Sequence, residues 1–200
     1  MALMTAEQAR LYIRGIQGTA EDTNISTLVA RADAVFASFL GIPAPTTGGN
    51  PTLEDTAHTL YLDGPGGQAL QLPYMPIQSI TSIHDSTDRT YVAGDLVAAS
   101  DYDLFGAEGL VRLKDTSVHG AWSETTRAVK VIAVIGWTTI PEAIQHAAGL
   151  QTAFWFKNRD QVGYSSINQG GGSVSIAALG LLPEVQEALQ PYRQASTWTG

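Results

Sequence analysis

The hydrophobic period of this chain changes twice, and few folds accommodate that. Ile25, Leu28, Val29, Ala32, Val35, Phe36, Phe39 and Leu40 recur at spacings of three and four, the single apolar stripe of an amphipathic helix. From His58 the period becomes two: His58, Leu60 and Leu62 alternate with Thr59 and Tyr61. At Pro141-Glu142 a helical pattern resumes. Burying each large side chain of the first stripe is worth roughly 1.5–3 kcal/mol, so that helix requires a partner. Too few helices stand at either end to make a core alone. The economical solution is an α+β fold in which the N- and C-terminal helices form one bundle and an antiparallel β lobe is inserted between them. The expected boundaries are 1–50 and 138–193 for the helical bundle, 51–137 for the β insertion, and 194–200 for a C-terminal docking tail.

Local signals sharpen this division. Thr5-Ala6-Glu7-Gln8 reads as a capping box opening a short helix to about Arg14. Glu21-Asp22 places carboxylates at the positive end of the second helix, Gly41 ends that helix, and Pro43 forbids continuation. Pro43 to Pro51 is a loop, and Asp63-Gly64-Pro65-Gly66-Gly67 a turn. Apolar runs at Leu70–Leu72, Ile77–Ile83, Tyr102–Phe105, Leu110–Leu113 and Arg127–Ile135 read as strands joined by short turns. The last is apolar on both faces, which predicts a central strand. The Ala-rich helix from Pro141 closes on Phe154-Trp155-Phe156-Lys157-Asn158-Arg159. The Gly/Ser-rich stretch from Gln161 to Gly180 reads as a loop, and Pro183-Glu184 opens a short final helix to Leu189.

Composition removes several classes of function. The chain has no cysteine, which excludes disulfides and thiolate chemistry. Eleven basic against nineteen acidic residues give a net charge of −8, a poor balance for gripping phosphate backbones. No stretch approaches the apolar run of a membrane helix, and Met1-Ala2-Leu3-Met4 lacks the flanks of a signal peptide, so the chain is expected to stay in the cytoplasm of the cell that makes it.

No catalytic, metal-binding or cofactor-binding residue is assigned, and no cofactor is expected. His58, His84, His119 and His146 do not combine with acids in a metal spacing. Asp101-Tyr102-Asp103 looks like a metal dyad, but residues two apart on a strand share a face and read better as a solvated pair. Neither glycine cluster carries the lysine of a phosphate loop. The aromatic residues point elsewhere. Consecutive helical residues diverge by about 100°, so three bulky rings in a row cannot all enter one core. Trp155, Phe156 and Arg159 are therefore candidates for a subunit contact. Pro191, Tyr192, Arg193 and Trp198 are candidates for a partner-binding tail, because a free tail normally sheds aromatics.

In order and spacing the chain resembles the long, β-inserted form of the tailed-bacteriophage head–tail connector (portal adaptor) family, found in phages, prophages and gene transfer agents. The resemblance rests on Tyr61-Leu62, Pro76-Ile77-Gln78-Ser79-Ile80-Thr81-Ser82-Ile83, Asp101-Tyr102-Asp103-Leu104, Trp122, Val129–Ile135, Ile140-Pro141, Asn158-Arg159 and the closing Leu182-Pro183 … Leu189-Gln190-Pro191-Tyr192-Arg193. It departs at Val134-Ile135-Gly136-Trp137, where members often carry an aromatic strand end before Ala-Gly-Tyr. The resemblance implies a structural virion protein in the neck between head and tail, not an enzyme. It implies a homo-oligomeric ring, a dodecamer, that binds the portal protein and extends the DNA channel. The next neck protein (a stopper) or a tail component would follow, and genome DNA would pass through the lumen unbound. An acidic wall suits such passage. Two alternatives stand beside it: another neck component, such as a stopper or tail-completion protein, and a small-ligand-binding or hydrolase domain using His84, Asp101 and Asp103 in the β lobe.

Overall fold

The computed structural model describes residues 3–159, 166–169, 172–175 and 180–193. The chain divides into two compact units. One comprises the chain up to Phe36 together with Ile140–Tyr192, and is helical; the other comprises Ala37–Thr139 with Arg193, and is built mainly of strands. The division between the units falls inside a helix, after Phe36. The last turn of that helix belongs with the strands.

In the helical unit, α1 spans Ala6–Arg10. Its capping box is formed: Gln8 N–H donates to Thr5 Oγ1 at 3.1 Å and Thr5 N–H to Gln8 Oε1 at 2.7 Å. The helix stops four residues before the expected Arg14. Tyr12 and Ile13 tighten onto the carbonyls three residues back, and Gly15 takes φ 86°. The second helix, α2, runs Asp22–Leu40 and buries Ile25, Val29, Ala32, Phe36 and Leu40 of the predicted stripe, together with Ala37, while Leu28, Val35 and Phe39 are half-buried. α3 spans Glu142–Lys157 and α4 spans Pro183–Leu189, with Val185 and Leu189 fully buried. Gln151, inside α3 and fully buried, holds the approach to α4. Its amide donates to Gly180 O at 3.0 Å, and its carbonyl accepts from Leu182 N–H at 2.9 Å. A satisfied buried amide of this kind fixes one geometry for the joint.

The stretch read as a Gly/Ser loop contains two strands, β8 (Ser166–Gln169) and β9 (Gly172–Ser175), paired antiparallel. Ile167 and Val174 flank a Gly-Gly pair, a hairpin pattern that the low-complexity composition masked.

The strand unit holds β1 (Thr56–Leu62), β2 (Ala69–Gln71), β3 (Ile77–Asp85), β4 (Leu96–Val97), β5 (Tyr102–Phe105), β6 (Leu110–Leu113) and β7 (Val129–Ile135). They form an antiparallel four-stranded sheet of order β1-β7-β3-β4 and a three-stranded sheet of order β2-β6-β5. The strand apolar on both faces, β7, is inner, as expected. Val129, Val131, Ala133 and Ile135 are fully buried. They share one core with Leu70, Leu72, Val111, Leu113 and Trp122, which joins the two sheets. Trp122 Nε1–H donates to Gln68 O at 3.0 Å, so its polar edge is satisfied inside the core.

After β7 the chain turns at Gly136, which has φ 120°. A Cβ there would lie 2.3 Å from the Glu54 carbonyl oxygen, so this approach is open to glycine alone.

Candidate interaction surfaces

Among the described residues no group of three or more His, Cys, Asp or Glu side chains converges as a metal site would require. The β-lobe candidates are dispersed. His84 lies on β3 in the four-stranded sheet, while Asp103 lies on β5 in the three-stranded one. Asp101 and Asp103 do not share a strand face as expected, because Asp101 closes a 3-10 turn, Ala99–Asp101, and the strand begins at Tyr102. The Asp103 carboxylate is 3.5 Å from Lys114 Nζ, an exposed pair worth well under 1 kcal/mol. No helix among the described residues is long and apolar enough to cross a membrane.

The aromatic end of α3 is arranged differently from the sequence reading. Trp155 and Phe156, expected at a subunit contact, are both buried in the helical unit, and Phe154 is the partly exposed member. Arg31 lies over the Trp155 ring at 4.7 Å and Arg159 over the Phe156 ring at 4.0 Å. The chain's own guanidinium groups therefore cover these rings through a cation–π attraction. Arg159 remains exposed, 3.5 Å from Glu21 Oε2, and with Phe154 is the part of the cluster that another chain could reach.

At the C-terminus, α4 continues into a 3-10 turn, Gln190–Tyr192. Pro191 and Arg193 are exposed and Tyr192 half-buried. The Arg193 guanidinium lies 5.6 Å from the Phe39 ring centre. Arg193 thus stands over an aromatic ring of α2. Trp198 and the docking tail 194–200 lie outside the described residues.

Two features escaped the sequence reading. In the helical unit, Tyr12 packs over His146 with rings 5.5 Å apart and a 3.1 Å hydrogen bond between the Tyr12 hydroxyl and His146 Nδ1. The groove beside them, about 410 Å³, is lined by Met4, Gln8, Leu11, Glu142 and Gln145, and Leu11 is 84% exposed. In the strand unit, Arg127, Tyr61, Tyr91 and Lys130 form a ladder of two adjacent rings with a cation at each end. Arg127 lies over Tyr61 at 5.0 Å, Tyr61 meets Tyr91 at 5.4 Å, and Lys130 lies over Tyr91 at 5.7 Å. Tyr91 and Arg127 are two of the three non-glycine residues with positive φ, at 51° and 55°. The third, Arg89 at 64°, stands two residues before Tyr91. Only the strand pairing that sets Tyr61 opposite Lys130 reveals the ladder.

A cleft of about 490 Å³ opens beside this ladder, lined by Pro43, Ala44, the consecutive residues His58 to Asp63, Tyr74 and Arg127. His58 is buried in its wall, its Nε2 2.9 Å from Thr56 Oγ1. Burial holds the imidazole below its ordinary pKa, against an opposing hydrogen bond with the Ala44 backbone.

Rings capped by cations, an exposed leucine beside a tyrosine–histidine pair and an open cleft along a sheet are features of contact surfaces. Surfaces of this kind suit a protein that holds other chains. More particularly, residues 2–195 match the model of the head completion protein family (HCP), and the chain belongs to that family. Comparison with curated proteins finds no match. Among solved structures, the fold is similar to a chain in the neck of an empty gene transfer agent (GTA) particle computed with C6 symmetry. That likeness has a TM-score of 0.60 and 17% identity, over 100% of this chain and 93% of the other. A chain of the native GTA virion matches with TM-score 0.58 and 17% identity, over 99% and 93% of the two chains. A chain from the neck of the native particle computed with C12 symmetry matches with TM-score 0.55 and 16% identity, over 92% and 96%.

Proposed function

We propose that this protein is a structural component of the head–tail neck, which assembles as a ring around the DNA channel and docks on the portal as its adaptor. The observation that carries the reading is the head completion match over residues 2–195, nearly the whole chain. The fold shared with neck chains from particles computed with C6 and C12 symmetry supports a ring, with twelve copies as the expected number. In a closed ring each contact repeats around the axis, so modest pairwise affinity yields a durable assembly. The net charge of −8 favours a lumen through which DNA passes without sticking.

In this reading Pro191, Tyr192, Arg193 and Trp198 engage the portal, and Arg159, with Phe154 beside it, faces the next subunit. Trp155 and Phe156 stiffen that surface from below. The next neck protein, a stopper or a tail component, binds the opposite side of the ring. The role is mechanical and draws on no catalytic group.

Electron microscopy of the purified protein mixed with portal tests the proposal, and an added ring of density beneath the portal is the expected result. Truncation after Arg193, together with Tyr192→Ala, should leave a folded protein that no longer joins portal-containing heads. Normal attachment by that variant would defeat the docking role of the C-terminal segment, while a portal that gains no ring from the intact protein would defeat the adaptor reading.

A further inference from the structure

Strand β1 is an edge: it pairs with β7 on one side and, among the described residues, with no strand on the other. In an antiparallel ladder, alternate residues turn their backbone groups to opposite sides. Thr46 N–H donates to the Ala57 carbonyl at 3.1 Å from outside the sheet, so Ala57, Thr59 and Tyr61 are the outward residues. Thr46 occupies Ala57, and its hydroxyl donates to Thr59 Oγ1 at 3.2 Å, so the loop covers the start of this edge and leaves the backbone groups beyond it. The backbone groups of Thr59 and Tyr61 make no further backbone hydrogen bond among the described residues. The cleft of about 490 Å³ follows this same edge, since six consecutive residues, His58 to Asp63, line it. An open edge of this kind is a template for another strand, and proteins that must avoid such pairing place lysine, proline or a bulge there. The β1 sequence, Thr-Ala-His-Thr-Leu-Tyr-Leu, has neither lysine nor proline, and its pairing to β7 runs without a shift.

The chain carries a second incomplete sheet. β8 and β9 pair with each other and with no other strand among the described residues, four residues on each side. An isolated two-stranded hairpin is marginal in water and gains stability from a third strand. Each copy therefore offers one strand pair in need of a sheet and one sheet edge in need of a strand. A head-to-tail contact joins different patches on successive copies, and closes when the rotation completes a ring.

We propose that in the assembled ring the β8–β9 hairpin of one copy adds to the β1 edge of the next, extending the four-stranded sheet across the subunit boundary. This rests on the ring reading above. A second copy is the favoured occupant because both complementary halves lie in one chain, and every member of a ring has a neighbour on each side.

The test compares the parent protein with Thr59→Pro, which removes an outward N–H without touching the β1–β7 ladder, and with the double variant Ile167→Gly/Val174→Gly, which weakens the hairpin strands. Ring formation is measured by native mass spectrometry and electron microscopy, folding by thermal melts, and backbone protection by hydrogen exchange in ring and monomer. Both variants should melt close to the parent yet require about two- to tenfold higher concentration to form rings, the factor one net hydrogen bond supplies. In parent rings the Thr59 and Tyr61 amides should exchange at least about tenfold more slowly than in the monomer. That measurement decides the matter should Thr59→Pro fail to fold. Unchanged amide exchange on assembly, or parental ring formation by the variants, overturns the inference and leaves the adaptor reading intact. Loss of rings in Thr59→Pro but not in the hairpin variant assigns the edge to a different segment of the neighbouring copy, and sinks the hairpin assignment. Absence of rings from the parent removes the ring reading, and this inference with it.

Discussion

Gly149→Ala should destabilise the protein, against the usual rule for a helix interior. Gly149 lies in the middle of α3 and is buried. In that setting alanine ordinarily gains about 0.5–1 kcal/mol over glycine, because it loses less backbone entropy on folding. Here the added Cβ would stand 2.5 Å from Tyr12 Cε2 and 2.6 Å from both Cδ2 and Cζ. Those distances are about 1 Å inside the usual carbon–carbon separation. The three atoms belong to one rigid ring, so none can yield alone. The ring can move only by giving up its 3.1 Å hydrogen bond and its 5.5 Å packing with His146. Overpacking costs about 1–3 kcal/mol and the lost hydrogen bond about 0.5–1.5 kcal/mol. After the propensity gain, the net loss is about 1–3 kcal/mol. For a chain of this size each kcal/mol corresponds to about 2–4 °C in melting temperature. Urea unfolding and thermal melts of Gly149→Ala, Tyr12→Ala and the double variant provide the assay. In the Tyr12→Ala background the clash is gone, and the same substitution should stabilise by about 0.5–1 kcal/mol. Stabilisation by Gly149→Ala in both backgrounds would refute the reasoning.

Gly136→Ala should cost at least about 2 kcal/mol in urea unfolding, since it combines a φ of 120° with a Cβ 2.3 Å from the Glu54 carbonyl oxygen. Trp122→Ala should cost about 3–5 kcal/mol by the same measurement. Trp122→Phe should cost less, losing chiefly the bond to Gln68 O. His58 gives the fold an acid sensitivity. Its folded pKa is lowered below 6.5 by burial, so the unfolded chain binds a proton that the folded chain resists. Stability is then complete above about pH 6.5 and falls as pH drops toward the folded value. His58→Gln should flatten that part of the pH–stability profile, as read by melts across the range.

Much of this architecture was legible from periodicity. The α2 stripe, the inner position of β7 and the Thr5–Gln8 capping box depend on neighbours in sequence, and each stands where the pattern placed it. The β8–β9 hairpin was not legible, because serine and glycine dilute the alternation that marks a strand. The contact surfaces were less legible still. Trp155 and Phe156 read as exposed because three successive rings cannot share a face, yet Arg31, far away in sequence, roofs one of them and Arg159 the other. The ladder of Arg127, Tyr61, Tyr91 and Lys130 draws on segments that meet only once β1 has paired with β7.

By itself, then, the sequence determined the helices and every strand but β4, β8 and β9, the order in which they follow, and the absence of thiol chemistry. Those properties come from local propensity and from which residue types are present at all. Tertiary structure alone decided which aromatic rings are covered, where a sheet edge stays open, and which cations stand over tyrosines. Such features depend on residues distant in the chain arriving within a few ångströms of one another, and no one-dimensional spacing encodes that distance.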